Sequence, residues 1–252
     1  MALAPKTPKP KISRLTGGGD CEDIEDGDRF SNLPDPIIHH IFSFLETIDI
    51  TRLSAVSRKW RYLWISMPHL NLDINTVWSR PLTRWPLNTI IDKFKDFVNW
   101  VFVSQDGSIN LKKCRLFSYH HANDNSVYRW INVVARRNVQ ELDMSLVSYT
   151  PFDLPHCLVT CKSLMSLKLC FSTPCVLKLP ASGGFSRLKS LDLLRVELSD
   201  YNLLRDFVAN SPFLENLFMD ACVFREFEML EIVSANLKNL TLHNSNSALY
   251  TG

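Results

Sequence analysis

The sequence predicts an α/β chain in two parts: an N-terminal trio of short helices, then a solenoid whose parallel strands curve into an arc with helical or irregular returns. Three observations carry this. Apolar residues recur at helical spacing through residues 33–72. From residue 111 onward an L-x-x-L-x-L pattern returns at intervals hard to obtain by chance. The composition, 46% hydrophobic and 21% charged over 252 residues, is globular and leaves room for one or two domains.

The same arithmetic excludes several classes of function. Lys and Arg number 28 against 26 Asp and Glu, and a net charge of +2 is too small a field for a phosphate backbone, so no nucleic acid is expected as partner. No stretch approaches the ~18 unbroken apolar residues of a membrane span. The opening Met1 to Leu15 carries Lys and Pro where a signal peptide has its apolar core. No membrane partner is therefore expected, and the chain is placed inside the cell, in the nucleus and/or cytoplasm. Seven cysteines, an odd number in a chain large enough to build a core, fit reduced thiols rather than a disulfide framework.

Residues 1–28 are read as a disordered leader. A basic, Pro-rich half with Lys6, Lys9, Lys11 and Arg14 runs through Gly17 to Gly19 into an acidic run, with few apolar side chains to offset the entropy of ordering. From Leu33 the helical trio begins. Asp35 is placed to cap the first helix and Pro36 suits its first position. Ile37, Ile38, Ile41, Phe42, Phe44 and Leu45 then cover an arc of about 160°, wider than the ~100° stripe that seats a helix on one core. This helix needs two neighbours. After a turn at Glu46 to Thr47, a second helix is expected through Leu53 and Val56, and Ser57 is placed to cap a third bearing Trp60, Leu63 and Trp64 on one stripe.

Size turns this pattern into an argument about function. A unit of roughly 40 residues is below the ~60 at which isolated domains become marginally stable, and half of residues 33–72 are apolar. Either the following domain covers that surface, or part of it is a docking face for another protein.

Behind a linker rich in Trp, Pro and Arg (Val77 to Pro86), a helix is expected from near Asn88, with Ile90, Ile91, Phe94, Phe97, Val98, Val101 and Phe102 on one side and Asp106-Gly107 at its end. Val127, Trp130, Ile131 and Val134 mark a second helix. The repeat reads Leu111, Cys114, Leu116; Val139, Leu142, Met144; Leu164, Leu167, Leu169; Leu188, Leu191, Leu193; Leu214, Leu217, Met219; and Leu237, Leu240, Leu242. Its central positions lie 28, 25, 24, 26 and 23 residues apart, within the period of leucine-rich repeats. Met67, Leu70 and Leu72 share the spacing and are candidates for an earlier copy. One unit cannot bury its leucines alone; stacking makes them a continuous core.

Strand side chains alternate, so residues between and beside the leucines face the concave, open side. The substrate-binding candidates there are Arg115, Phe117, Asp143, Lys168, Asp192, Leu194, Phe218 and Thr241, with Phe117, Leu194 and Phe218 as anchors. This mixed surface suits a protein or peptide better than a polyanion.

Other signals are discounted. Cys157, Cys161, Cys170 and Cys175 with His156 lack the paired C-x2-C spacing of zinc ribbons, so no metal is expected. The adjacent pairs His39-His40 and His120-His121 cannot share a helix face as ligands and are read as polar-face or loop residues, while Gly183-Gly184 turns the chain. No nucleophile, zinc-protease or EF-hand motif occurs, so neither catalysis nor a cofactor is expected.

Two parts of the chain resemble a known family. Ser31 to Asp73 resembles an F-box, most clearly in LPDPII, FSFL and SRKWRYLW. The stretches WINVVARRNVQELDMSL, TCKSLMSLKLCF, FSRLKSLDLLRVEL and NSPFLENLFMDAC resemble plant F-box proteins with leucine-rich repeats, of the FBD type. Ser211 stands where many of these have Cys. The resemblance implies an F-box over 29–72, a linker and helix over 73–110, and about six leucine-rich repeats over 111–252. The chain stops ten residues after Leu242, as a short member or a truncated product, and an uncapped end would expose repeat core.

What the family implies is the substrate-recognition subunit of an SCF-type ubiquitin ligase. The F-box binds a Skp adaptor, and through it a cullin scaffold, while the repeats bind a target protein; the subunit is not itself an enzyme. Carried onto this sequence, the adaptor-binding candidates are Leu33, Pro34, Ile37, Ile38, Ile41, Leu45, Leu53, Val56, Trp60, Leu63 and Trp64. Some of these must be internal packing, and Leu33, Pro34, Trp60 and Trp64 are favoured for contact. The alternative is a protein-binding repeat scaffold with a degenerate F-box, in which Trp60 and Trp64 are buried against Leu70 and Leu72. A third reading, a small-molecule sensor, wants convergent basic groups, for which Lys113, Arg115 and Lys168 are few.

Overall fold

The computed structural model describes residues 33–55, 57–78, 86–121, 124–180, 184–198, 200–225, 232, 234, 236–243 and 246–247. The leader expected over 1–28, Val56 and part of the Val77–Pro86 linker lie outside the described residues.

The trio consists of α1 (Asp35–Phe42), α2 (Thr47–Leu53) and α3 (Arg58–Ile65). Contrary to the sequence expectation, Asp35 does not cap α1. Pro34, held at φ −57° and ψ 142°, supplies the extended lead-in and the first acceptor carbonyl, which takes the N–H of Ile37 at 2.9 Å. Asp35 sits one position inside the helix and pairs instead with Lys59 of α3 at 3.2 Å. Ser57 occupies the N-cap position of α3 in extended backbone, but its side chain makes no capping hydrogen bond there, contrary to the capping role expected of it.

The chain then enters the solenoid earlier than the L-x-x-L-x-L count from residue 111 requires. β1 (His69–Asp73) is followed by α4 (Ile74–Trp78), α5 (Leu87–Ser104), β2 (Lys113–His121), α6 (Asn125–Arg136), β3 (Glu141–Val147), β4 (Phe152–Asp153) and α7 (His156–Val159). Next come β5 (Ser166–Lys178), β6 (Ser190–Leu198), α8 (Tyr201–Ala209), β7 (Asn216–Asp220), β8 (Val223–Phe224), β9 (Asn239–His243) and β10 (Asn246–Ser247). The main path of the sheet runs β1-β2-β3-β5-β6-β7-β9, every neighbour parallel, with the short β4, β8 and β10 paired beside it.

Register shows why the repeat spacing works. Leu70, Cys114, Leu142, Leu167, Leu191, Leu217 and Leu240 form one row across the sheet, and Leu72, Leu116, Met144, Leu169, Leu193, Met219 and Leu242 the next. Met67, Leu70 and Leu72 are thus the first copy, on β1. Both rows are buried from β1 to β7, whereas Leu240 and Leu242 of β9 are each 45% exposed. A solenoid strand is covered by its neighbours, and among the described residues β9 is the last on the path.

Behind the rows lie the helices. Ile90, Phe94, Val98 and Val101 of α5 and Val127, Trp130, Ile131 and Val134 of α6 are buried, matching their helical spacing. Asp124 caps α6 by accepting the Ser126 N–H at 2.6 Å, and Asp200 caps α8 through the Leu203 N–H at 3.1 Å. His120, expected on a polar face or loop, is instead buried: β2 outruns its L-x-L, and the alternation that buries Cys114 and Leu116 continues to Ser118 and His120. Gly184 does more than turn the chain. A Cβ there would lie 2.5 Å from the Asn210 carbonyl oxygen, beside the buried Ser211 hydroxyl, which accepts the Phe185 N–H and donates to the Phe207 carbonyl.

Candidate functional site

Two surfaces carry the residues that the sequence singles out. On the trio, the structure divides the adaptor candidates. Ile38, Leu63 and Trp64 are buried in the chain's own core, so a partner meeting this surface as it stands does not reach them. Leu33, Leu45 and Trp60 are half-buried against that core, and Leu53 is half-buried. Pro34, Ile37 and Ile41 are exposed, while Val56 lies outside the described residues.

The exposed remainder is contiguous along one helix. Ile37 and Ile41 fall at i and i+4 on α1, and Phe44 just beyond it at i+7; they are 49%, 41% and 75% exposed. The His40 ring meets Phe44 edge-on at 4.9 Å. On α3, Tyr62 is exposed, as are Arg58 and Arg61. Phe44 and Tyr62 are absent from the sequence-derived adaptor set, although the i, i+4, i+7 spacing with Ile37 and Ile41 is the signal that finds Phe44.

What seals the other side of the trio is specific. Trp64 stacks on Trp100 of α5, and Trp60 meets Phe42 edge-on with ring centroids 5.9 Å apart. The scaffold reading expects both indoles buried; only Trp64 is. The Gln105 side chain, itself buried, donates to the Trp64 carbonyl at 3.2 Å and accepts from Arg137 at 2.7 Å, and Arg137 also donates to the Ile109 carbonyl. The Asp106 N–H donates to the Ile65 carbonyl at 3.0 Å, and the Asn71 N–H to the buried Thr47 hydroxyl at 2.9 Å. The guanidinium of Arg137 is buried without an ion pair among the described residues, and desolvation lowers its pKa. Beside it, burial pushes the Cys114 thiol up to about 12, which removes it as a nucleophile.

The second surface is the open face of the sheet, opposite the leucine rows. The parallel register lines up its side chains in three rows. The middle one is Asn71, Arg115, Asp143, Lys168, Asp192, Phe218 and Thr241. Phe117 and Leu194 lie in the next row, with Asp73, Ser145, Cys170, Asp220 and His243. All eight substrate candidates therefore share one face; Thr241 is exposed and the other seven half-exposed. Charges alternate from strand to strand. Arg115 approaches Asp143 at 3.8 Å and Asp73 at 3.9 Å, and Lys113 approaches Glu141 at 3.4 Å. Burial pushes the Asp192 carboxyl above the ordinary aspartate value, opposed by Ser190 and Lys168 and reinforced by Asp143.

A cleft of about 580 Å³ opens at the ends of β2 and β3, between Asn75, Leu87, Asn88, Ile91, Tyr119, Val147 and Tyr149. The convergent basic groups that a small-molecule sensor wants are not among its described lining. Among the described residues no His, Cys, Asp and Glu group is arranged to hold a metal, and no helix is long and apolar enough to cross a membrane.

Comparison with known proteins adds to this geometry. A family model of the F-box domain matches residues 30–71. A second, described as the leucine-rich repeats of FBD-associated F-box protein At5g56370, matches residues 127–250. The chain is 31% identical over 224 residues to F-box/FBD/LRR-repeat protein At1g51370 of Arabidopsis thaliana, covering 88% of this chain and 48% of that one. It is 31% identical over 222 residues to F-box/LRR-repeat protein 13 of the same plant, covering 85% of this chain and 46% of the relative. With F-box/LRR-repeat protein At4g14103, also of Arabidopsis thaliana, it shares 31% identity over 214 residues, 84% and 55% of the two chains. The chain spans about half the length of the curated relatives it matches.

Proposed function

The chain is a plant-type F-box/leucine-rich-repeat protein, and from that premise we propose that it is a non-catalytic substrate-recognition subunit of an SCF-type ubiquitin ligase. In this reading the F-box docks on a Skp adaptor, which a cullin scaffold holds, and the open face of the repeats binds a target protein in the nucleus or cytoplasm.

The observation that carries the reading is the stripe Ile37, Ile41 and Phe44, left uncovered on a trio whose opposite side is closed by α5 and β1. Full burial of such a side chain contributes about 1.5–3 kcal/mol, and covering what Ile37, Ile41 and Phe44 still expose contributes roughly two fifths to three quarters of that each. Monomers leave single apolar residues exposed, but Ile37 and Ile41 on one face of α1, with Pro34 before them and Phe44 just past the helix end, form an anchor of the kind that interfaces use.

The catalytic benefit of such a subunit is proximity. Binding adaptor and target on one body raises the effective concentration of the target's lysines at the conjugating enzyme, toward the millimolar range of a short tether. The polar relay from Trp64 through Gln105 to Arg137 suits this, since it ties the F-box to the first repeats. Co-expression with a Skp adaptor tests the proposal. A stoichiometric complex that Ile41→Asp dissociates supports it; a monodisperse, folded chain that ignores the adaptor contradicts it and favours the scaffold reading.

A further inference from the structure

We propose that the open face recognises a helix of its target, one that presents an anion, a cation and an apolar side chain on successive turns to Lys168, Asp192 and Phe218. This rests on the reading of that face as the target surface and specifies what it selects.

The three residues stand on β5, β6 and β7 in a single register row, Lys168 opposite Asp192 and Asp192 opposite Phe218. They differ from the charges around them. Arg115 faces Asp143 and Asp73, Lys113 faces Glu141, and His243 faces Asp220 at 3.1 Å. Among the described residues Lys168 makes no ion pair, and Asp192 has only a 3.3 Å hydrogen bond from the Ser190 hydroxyl. Both side chains are half-buried and sit opposite each other in the register, where Lys168 opposes the burial-driven rise of the Asp192 carboxyl pKa without closing to an ion pair, so each has lost part of its hydration for a loose pairing alone. A partner that brings a closer counter-charge to each improves on that pairing.

The apolar end of the row is continuous with its neighbour. Leu194 lies beside Asp192 and Phe218 in the adjoining row, with Cys170 opposite it on β5. Here the β5–β6 register breaks, and Arg195 adopts a left-handed φ of 55° that aims its guanidinium at the Phe171 carbonyl, 3.2 Å away. A β-branch-free, strained residue held this way fixes the edge of the patch.

Spacing selects the shape of the partner. Neighbouring strands lie about 4.8 Å apart, so the row offers a contact at that interval. A helix crossing the strands returns a side chain to one face every turn, about 5.4 Å, and drifts by roughly 1 Å over the two steps from Lys168 to Phe218. An extended segment repeats every second residue, about 6.7 Å, and drifts by roughly 4 Å. The helix stays in register; the extended chain does not.

Fluorescence anisotropy with the full chain tests this, using alanine-based helical peptides of about 17 residues. The first carries Glu, Lys and Leu at i, i+4 and i+7; the second exchanges Glu and Lys; the third is the first broken by a central proline. The first should bind at least tenfold more tightly than either other, and the paired exchange Lys168→Glu with Asp192→Lys should reverse the preference between the first two. Equal affinities, absence of binding, or a wild-type preference retained by the exchanged variant overturns the proposal. Adaptor affinity of the same samples separates the outcomes: a chain that holds the adaptor but ignores the peptide order refutes this inference and leaves the receptor reading standing.

Discussion

Trp64 of the F-box trio stacks on Trp100 of α5, with ring centroids 5.3 Å apart and planes 20° from parallel. Trp64 is 4% exposed, whereas Trp100 remains half-open to solvent. The trio's core is therefore completed by a helix from beyond the linker.

Truncation of this pair should be unequal and coupled. Trp64→Ala is expected to cost about 3–5 kcal/mol as a buried aromatic and Trp100→Ala roughly half of that. A double-mutant cycle by urea denaturation should return a coupling of about 0.5–1.5 kcal/mol. Additive losses would mean that the rings merely adjoin.

Gln105→Leu should destabilise more than its size implies. It removes the acceptor of the buried Arg137 guanidinium and the donor to the Trp64 carbonyl, an expected loss of about 2–4 kcal/mol. Adding Arg137→Met removes the orphaned charge and should recover part of that loss in the same denaturation experiment.

Gly184→Ala brings a methyl group against backbone atoms of Asn210 rather than a flexible side chain. The irregular segment at Phe185 or the turn at Asn210 and Ser211 must then shift, at a cost of about 1–3 kcal/mol. The midpoint of thermal unfolding, compared with that of a Gly107→Ala control whose Cβ meets nothing within 4 Å, reads the difference.

The pH dependence at Asp192 has a definite sign. Burial raises its carboxyl pKa, so the folded chain binds this proton more tightly than the unfolded chain does. Its contribution to stability falls as pH rises from the ordinary aspartate value of about 3.9 through the raised one. Asp192→Asn should flatten that segment of the stability profile and leave the variant more stable than the parent at neutral pH. Urea midpoints from pH 3.5 to 7 check this; parallel profiles would refute it.

The solenoid was legible because its signal is repeated. Period-2 alternation within a fixed repeat places Arg115, Lys168 and Phe218 on one face without knowledge of any loop. The trio was legible as helices but not as surfaces. Ile37 and Ile38 are adjacent, chemically identical and on one broad apolar arc; which of them turns inward depends on where α3 docks. Trp60 and Trp64 share a stripe, and the choice between them is made by Trp100, distant in sequence. The burial of His120 is not legible for a related reason: the pattern does not say how far β2 runs past its L-x-L, and the alternation buries whatever residue the extension reaches.

The central claim is that the stripe on α1 is an adaptor-docking surface, and calorimetric titration of the folded chain with a purified Skp adaptor tests it most directly. The account predicts one-to-one binding that Ile41→Asp and Phe44→Glu each weaken by at least 100-fold, about 2.7 kcal/mol. Phe213→Glu, at an exposed aromatic away from the trio, should leave it unchanged. No heat of binding from a chain whose cooperative unfolding is intact, or equal loss in all three variants, would contradict it.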